Sequence, residues 1–371
     1  MLSVLPSGSV IHLVTLEKVA SPGVFEAEPG IRVHAFRYKR FGALAIGMIL
    51  NVVWSLFRLV RKERIDTIHA WCTPAGMLGH IISVITGRPL VLDSYEPHAE
   101  AMVENGTWSA RGGAFNVLFN WERWQSKRAK VLIAAAEGMH SYAALKFGVS
   151  EKPMYVKPAC VDLDRFSFVD KKNAELLREL GLDGRLILVY AGKFGGIYLD
   201  QEVFDLFKVA HTYWGDRFRV LLLTGHSREE LLPFMLRAGL DPALFTILSV
   251  PPAQVPAYMG LGDMAITPVR SVPTKRYCSP IKDGEYWALG LPIFITPDIS
   301  DDSRIIAEHG VGVVIEGYGS DAYHRAVHRM DELLRMGDGR FWYDRIRPLA
   351  ERYRNFDIAE NIYKKIYGEH R

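Results

Sequence analysis

The feature that most constrains the fold is a repeated alternation of short apolar segments with longer amphipathic ones. Short runs rich in β-branched residues predict strands, whereas longer segments with apolar residues three and four positions apart predict helices. Strands that alternate with helices in this way pair in parallel, and the helices cover the resulting sheet. The chain is therefore predicted to be an α/β protein.

The predicted strands fall into two series. The first comprises 10–15, 31–35, 67–70, 90–93, 131–134 and 154–157, and the second comprises 186–191, 219–224, 246–250, 264–267, 293–296 and 311–315. A chain of 371 residues is longer than a single core usually grows. We therefore predict two domains, 1–168 and 169–340, each a parallel sheet flanked by helices. Residues 341–371 are predicted to be helices that pack back toward the first domain.

The start of the first domain lacks elements that such domains usually have. A parallel nucleotide-binding domain normally opens with a strand, a Gly-rich turn and a helix. Residues 1–9 are too few to hold that unit, and the strand at 10–15 resembles a second strand. We expect the first βα unit of this domain to be missing or to lie upstream of residue 1.

Charge and cysteine content exclude several classes of function. The net charge is only +3, from 45 basic and 42 acidic residues, whereas nucleic-acid binding requires a concentrated basic face. Cys72, Cys160 and Cys278 are far apart and include no CxxC pair, so neither a disulfide framework nor a zinc site is predicted. The first residues lack the pattern of a secretory signal. We expect a cytoplasmic protein that binds no nucleic acid.

Residues 41–57 carry no charge and are followed by Arg58, Arg61, Lys62 and Arg64. The segment is short for a membrane-spanning helix, which needs about 20 apolar residues. It fits either a mostly buried helix with a basic end, or a helix that lies on an anionic membrane surface. Residues 41–64 are thus a candidate membrane contact, which would place the protein peripherally on the inner face.

The stretch 279–290 predicts a short helix with an anion site at its start. Ser279 suits the N-cap, Pro280 the first helical position, and Gly290 the end of the helix. The first N–H groups of such a helix are unpaired, and Lys282 adds a full positive charge. Glu285 lies on the same face, where a carboxylate can accept hydrogen bonds from ribose hydroxyls. By itself the pattern also fits an ordinary capped surface helix.

A glycine-rich turn, the second candidate anion site, follows the apolar strand at 186–191. Gly192, Lys193, Gly195 and Gly196 allow the backbone to approach a phosphate closely, with a cation at hand. Two cationic turns at the carboxyl ends of strands in one parallel sheet indicate a ligand site, because open α/β sheets bind ligands there.

These segments together resemble the retaining GT-B glycosyltransferases of family 4. Residues 279–292, SPIKDGEYWALGLP, resemble the family's SPxKxxEyxAxGxPv run, and residues 192–193 resemble its GR or GK turn. Residues 158–166, PACVDLDRF, resemble its PNGVDxxxF junction between the domains. The resemblance covers nearly the whole chain and implies two Rossmann-like domains.

The resemblance implies roles for individual residues. Lys193 and Lys282 would hold the diphosphate of a nucleotide sugar and stabilise charge on the departing nucleotide. Glu285 would hold the ribose. The remaining donor-binding positions would be Gly192, Gly195, Gly196, Ser279, Pro280 and Ile281. Neither a metal nor another cofactor is expected, and the acid pair Asp162 and Asp164 falls within the junction run.

The chain departs from the family at Tyr277, at Tyr198, and at Ala159 and Cys160, which replace a common Asn-Gly pair. Tyr277 stands where many members have a glutamate that contacts the donor sugar, and it remains our candidate on the sugar side. Tyr198 replaces a second basic residue that usually follows the turn lysine. These changes leave the identity of the sugar open.

The acceptor side is predicted after the strand at 90–93, where Tyr95, Glu96 and His98 follow. His98 is the candidate catalytic side chain there, although a loop histidine with a structural role fits equally well. His69 and Trp71 end another strand and have a weaker claim. His226 precedes Ser227 in an S-x-x-E capping box, which indicates a structural role.

The sequence thus predicts a retaining, metal-independent glycosyltransferase that transfers a sugar to a glycan or lipid-linked acceptor, as in polysaccharide biosynthesis. One alternative is a non-catalytic subunit that binds nucleotide sugars. A GT-B isomerase or hydrolase that cleaves the same bond is another.

Overall fold

The computed structural model describes residues 4–5, 8–18, 29–38 and 43–368, with the backbone alone for 43–46. All twelve predicted strands are present in this part of the chain, with ends shifted by at most two residues. The strands of every sheet pair in parallel, which confirms the predicted fold class.

The strands of the first domain divide between two sheets. β1 (Ile11–Glu17) pairs with β2 (Ile31–Arg37), and a four-stranded sheet follows in chain order, with β3 (Ile68–Trp71), β4 (Leu90–Tyr95), β5 (Val131–Ala134) and β6 (Met154–Val156). The helices are α1 (Ala43–Lys62), α2 (Cys72–Thr86), α3 (His98–Glu104), α4 (Gly113–Arg128) and α5 (Met139–Phe147). A single sheet was expected for this series. Periodicity identifies strands but does not specify which of them are neighbours.

The second domain is built on one six-stranded sheet. Its strands are β7 (Leu186–Ala191), β8 (Phe218–Leu223), β9 (Phe245–Leu248), β10 (Met264–Thr267), β11 (Ile293–Ile295) and β12 (Gly312–Val314). Its helices are α6 (Ala174–Glu179), α7 (Gln201–Trp214), α8 (Arg228–Arg237), α9 (Val255–Met259), α10 (Ile281–Ala288), α11 (Asp302–His309) and α12 (Ser320–Leu334). The central strands are apolar and buried, as expected for a parallel sheet covered on both faces.

The strand order of this sheet reverses next to β7. The order is β12-β11-β10-β7-β8-β9, so the chain first builds outward from β7 on one side and then returns to β10 on the other. Connections from β7 and β10 leave toward opposite sides, which opens a crevice at the carboxyl ends of these two strands.

Two helices complete the chain, α13 (Gly339–Arg354) and α14 (Phe356–Tyr367). α13 packs against α10. Beyond it the chain returns to the first domain, where Ile362 and Tyr363 pack against Val91 and Ile133 of the four-stranded sheet. Among the helices described, none has the length and apolar character needed to cross a membrane.

Candidate active site

The turn that follows β7 is shaped by glycine. Tyr190 donates its hydroxyl hydrogen to the carbonyl oxygen of Lys193 at 2.6 Å, and a Cβ on Gly192 would lie 2.6 Å from that hydroxyl. Gly195 and Gly196 have φ angles of +79° and +67°, which other residues rarely adopt. The Lys193 side chain is exposed and makes no hydrogen bond or ion pair with the described residues.

The helix after β10 starts one residue later than predicted. α10 begins at Ile281 with Pro280 as its N-cap, and Ser279 does not cap it. The Ser279 hydroxyl instead accepts a hydrogen bond from Ala159 N at 3.0 Å and another from the Arg354 guanidinium. Because no side chain caps α10, its first N–H groups stay available to an anion.

Lys282 and Glu285 lie on the same face of α10, as their spacing predicts. Lys282 Nζ is 3.4 Å from Glu285 Oε2, an oxygen that makes no hydrogen bond within the described residues. Burial raises the pKa of the Glu285 carboxyl, and the Lys282 charge opposes that rise. An ammonium group beside an unsatisfied carboxylate oxygen can bind a ligand that carries both phosphate and hydroxyl groups.

The two lysine-bearing segments are joined at the carboxyl ends of β7 and β10. Leu199 N donates to the carbonyl oxygen of Pro268 at 2.8 Å, which joins the segment after β7 to the segment after β10. The Tyr286 hydroxyl of α10 accepts a hydrogen bond from Ala191 N at 3.0 Å, at the end of β7. The predicted donor-site residues therefore flank the point at which the strand order reverses.

The turn after β8 adds a contact that sequence reasoning missed. His226 Nε2 accepts a hydrogen bond from Phe194 N at 3.2 Å, next to Lys193. Ser227 and Glu230 form the predicted capping box. The local pattern revealed the capping box but contained no signal for the imidazole contact, which joins two separate turns.

The three residues predicted on the acceptor side have different surroundings. Tyr95 is buried in the core of the first domain, so it supports the sheet and does not reach the cleft. Glu96 Oε2 lies 3.9 Å from Cys278 Sγ of the second domain, and burial raises the Glu96 pKa. His98 begins α3, and burial lowers its pKa. Glu96 and His98 both lie within electrostatic reach of Lys275, across the cleft.

A buried carboxyl group on α4 accepts a hydrogen bond from the backbone at the start of α3. Ala99 N donates to Glu122 Oε1 at 2.9 Å, and Glu122 is only 1% exposed. Burial, opposed by the hydrogen bond from Ala99, raises the pKa of Glu122 to about 8. Glu122 therefore keeps its proton near neutral pH in the folded chain and supports the backbone that carries His98.

We expect the stability of the protein to fall as the pH rises from about 4.5 to about 8, the ordinary and folded pKa values of Glu122. In this window the folded chain retains a proton that the unfolded chain has released, so rising pH favours unfolding. Glu122→Gln keeps an acceptor for Ala99 N without a titratable group, and should be more stable than wild type by about 1–3 kcal/mol at pH 8.5. Urea denaturation at pH 5.5, 7.0 and 8.5 measures the difference. If the free energy of unfolding changes with pH in the same way for both proteins, the raised pKa of Glu122 is contradicted.

A short 3₁₀ helix, Pro273–Tyr277, crosses from the second domain to the first. The Tyr277 ring centroid lies 5.1 Å from that of Tyr142 in α5. Thr274 N lies 3.2 Å from each carboxylate oxygen of Glu104. Tyr277, predicted on the sugar side, therefore makes a contact between the domains.

A buried charged cluster lies beneath α10. Arg354 pairs with Asp302, and it also donates to the carbonyl oxygen of Ala159 at 3.3 Å. Burial and the neighbouring Asp302 charge raise the pKa of Asp283 well above its usual range. The cluster joins α10, the junction between the domains and the end of α13.

A second polar cluster anchors α14 at the carboxyl ends of β3 and β4. Asp93 is buried, and its Oδ1 lies 2.8 Å from Lys157 Nζ. Tyr363 donates its hydroxyl hydrogen to Asp93 Oδ2 at 2.7 Å, and His69 Nδ1 lies 2.6 Å from the Tyr367 hydroxyl. His69 thus belongs to this anchor.

The acid pair at the junction between the domains closes a turn. Asp162 Oδ1 accepts hydrogen bonds from the backbone N–H groups of Asp164 and Arg165, both at 3.2 Å. Within the described residues, no three His, Cys, Asp or Glu side chains are grouped as ligands for a metal ion. The positive charge near Glu285 comes from Lys282, from Arg165 and from the start of α10.

Comparisons with known proteins relate this architecture to a family. Residues 7–160 match the family described as Glycosyl transferase 4-like domain. A search among curated proteins finds no significant match.

Several solved structures share the fold over nearly the full chain. Sucrose-phosphate synthase from Thermosynechococcus elongatus has a TM-score of 0.72 at 14% identity, and the match covers 98% of this chain and 89% of that one. Anabaena HepE, solved with UDP-glucose, has a TM-score of 0.69 at 17% identity, with 96% and 99% covered. WaaG, a glycosyltransferase involved in lipopolysaccharide biosynthesis, has a TM-score of 0.70 at 12% identity, with 98% and 92% covered. At these identities, the likenesses establish the GT-B fold.

The family match over the first domain, the shared GT-B fold and the motif run at 279–292 agree with one another. The chain therefore has the GT-B fold, and its residues 7–160 match the glycosyl transferase 4-like domain.

Proposed function

We propose that the chain is a retaining, metal-independent glycosyltransferase that moves a sugar from a nucleotide diphosphate to a glycan or lipid-linked acceptor. The observation that carries the proposal is the Lys282–Glu285 pair on α10, with the glycine-rich turn of Lys193 after β7 at the point where the strand order reverses. Open α/β sheets bind ligands at such a reversal of strand order. The similarly folded HepE has been solved with UDP-glucose.

The proposed chemistry is electrostatic. Lys193, Lys282 and the first N–H groups of α10 bind the diphosphate, where negative charge grows as the bond to the sugar breaks. Glu285 accepts hydrogen bonds from the ribose hydroxyls. Glu96 and His98, on the opposite wall, contact the sugar or the acceptor.

Glu285→Ala is expected to weaken nucleotide binding by about 10- to 100-fold, because charge-assisted hydrogen bonds are lost. Calorimetric titration with UDP, GDP and ADP measures the effect and identifies the base. The matched control is Glu229→Ala, an exposed glutamate on α8, which should bind like wild type. Undiminished binding in Glu285→Ala would remove the ribose assignment.

Product analysis tests the reaction itself. With an accepted donor and acceptor, NMR of the product should show the same anomeric configuration as the donor sugar, and EDTA should leave the rate unchanged. An inverted product would contradict retention. Loss of activity in EDTA that Mg²⁺ restores would contradict metal independence.

We further propose that α1 contacts an anionic membrane surface. Val52 and Val60 are buried, whereas Leu50 and Trp54 are 65% and 55% exposed. The Arg58 guanidinium lies 4.9 Å from the centre of the Trp54 ring and continues this exposed stripe. Apolar side chains followed by basic ones are typical of helices that lie in the interface of anionic bilayers.

Wild-type protein is expected to float with vesicles of phosphatidylcholine and phosphatidylglycerol, and not with phosphatidylcholine alone. Reversing the charges of Arg58, Arg61 and Lys62 to glutamate should abolish flotation. The control reverses Arg325, Arg329 and Arg335 of the second domain, all exposed, for the same change in net charge. Equal flotation of both variants would contradict an electrostatic contact through α1.

A further inference from the structure

Lys275 has a largely buried side chain, and the Glu96 carboxylate that attracts its charge lies beyond ion-pair distance. Lys275 lies in the 3₁₀ helix that crosses the cleft and is only 4% exposed. Its ammonium group forms neither a hydrogen bond nor an ion pair with any residue in the described part of the chain. The ammonium nitrogen itself is not fully buried, so it keeps contact with the solvent of the cleft. A cation held in this way at a cleft is available to a negatively charged ligand.

The backbone around Lys275 is firmly held. Its carbonyl oxygen accepts hydrogen bonds from Ser300 N at 2.9 Å and from Cys278 N at 3.3 Å, and its own N–H donates to Val272 at 2.9 Å. The point from which the side chain leaves the backbone is therefore set by the fold before any ligand binds.

The surroundings of Lys275 place it at the candidate donor site. Its charge acts on Glu96 and His98 of the first domain and on Cys278, which immediately precedes the stretch leading into α10. Tyr198 also lies within electrostatic reach of Cys278. Lys275 therefore lies between the wall formed by the first domain and the start of the donor helix.

We propose that Lys275 binds the β-phosphate of the donor from the side of the first domain, as a third cation beside Lys193 and Lys282. The proposal rests on the nucleotide-sugar function proposed above. It also accounts for Tyr198, which stands where related enzymes usually have a second basic residue. Lys275 supplies that charge from the neighbouring loop.

The group-transfer step shows why this charge matters. The bond between sugar C1 and the β-phosphate oxygen breaks, and its electron pair stays on that oxygen. The acceptor hydroxyl oxygen forms the new bond to C1, and its proton passes to the departing diphosphate. A fixed ammonium group beside the β-phosphate stabilises the charge that develops there.

Lys275→Gln is expected to weaken binding of the nucleoside diphosphate by about 10- to 100-fold. Affinity for the corresponding monophosphate should not change, because the α-phosphate is not its partner. The melting temperature without ligand should change little, because the ammonium group makes no hydrogen bond or ion pair with the described residues. Titration calorimetry and thermal unfolding measure these effects. Lys208→Gln, at an exposed lysine of the same domain, is the control and should match wild type.

Different results separate this inference from the proposed function. If wild-type protein binds no nucleoside diphosphate, both fail. If wild type binds and Lys275→Gln keeps the ratio of diphosphate to monophosphate affinity, the donor site stands and the role of Lys275 is overturned. A lower melting temperature with that ratio unchanged shows a structural role and likewise overturns it. If Lys275→Gln is unstable, the ratio of diphosphate to monophosphate affinity is measured on Lys275→Met, which keeps most of the side-chain length.

Discussion

Replacing Lys193 by alanine is expected to lower kcat by about 100- to 1,000-fold, the usual effect of removing one group that stabilises charge in a transition state. The Lys193 side chain is exposed at the turn after β7 and has no partner within the described residues. Its charge is therefore available to the diphosphate. Because negative charge on the diphosphate grows during bond breakage, kcat should fall more than affinity for the donor.

The measurement is the initial rate of sugar transfer at saturating donor, alongside calorimetric affinity for the nucleoside diphosphate. Lys208→Ala, on α7 of the same domain, should keep the wild-type rate. Thermal unfolding of Lys193→Ala should match wild type, because an exposed side chain without contacts is removed. A kcat within threefold of wild type would exclude Lys193 from the chemistry.

Replacing Arg354 by alanine is expected to lower the free energy of unfolding by about 3–5 kcal/mol, because a buried ion pair loses one partner. Arg354 is 1% exposed, pairs with the buried Asp302 and contacts the Ser279 hydroxyl. Without it, Asp302 lies uncompensated beside Asp283. The melting temperature should fall by roughly 10 °C.

Differential scanning calorimetry tests this prediction. Arg340→Ala, on the same helix, is the control, because its ion pair with Asp344 at 2.9 Å is exposed and contributes at most about 1 kcal/mol. Asp302→Asn in the Arg354→Ala background should restore part of the lost stability, since neither charge then remains. Equal decreases in melting temperature for Arg354→Ala and Arg340→Ala would show that the buried cluster does not stabilise the fold.

The strands could be predicted because their signal is local. Each strand of the six-stranded sheet is a short apolar run bounded by turn residues. Parallel pairing follows from the helices between these runs. The division of the first domain into two sheets could not be predicted, because it depends on which strands meet in space. The Lys282 and Glu285 pair was predictable for the same local reason, since helical spacing places them on one face.

Predictions that depended on a single side chain were less reliable. Ser279 has the chemistry of an N-cap, but its hydroxyl is engaged by Ala159 and by Arg354, 75 residues away. Tyr95 follows the predicted strand, yet β4 extends to it, and its hydroxyl accepts a hydrogen bond from Ser126 inside the core. In both cases a tertiary contact overrides a local preference.

The sequence by itself determined the α/β class, the positions of the strands and the two lysine-bearing turns, because periodicity and turn chemistry act over a few residues. Only the tertiary structure decided how the stretch between β10 and α10 is used. It places Tyr277 against Tyr142 of the first domain and leaves Lys275 largely buried, without a hydrogen bond or ion pair to the residues that the structure describes. The two residues are only two positions apart but have different surroundings. The packing of the two domains across the cleft sets the burial and charge environment of each side chain, and no local pattern encodes that packing.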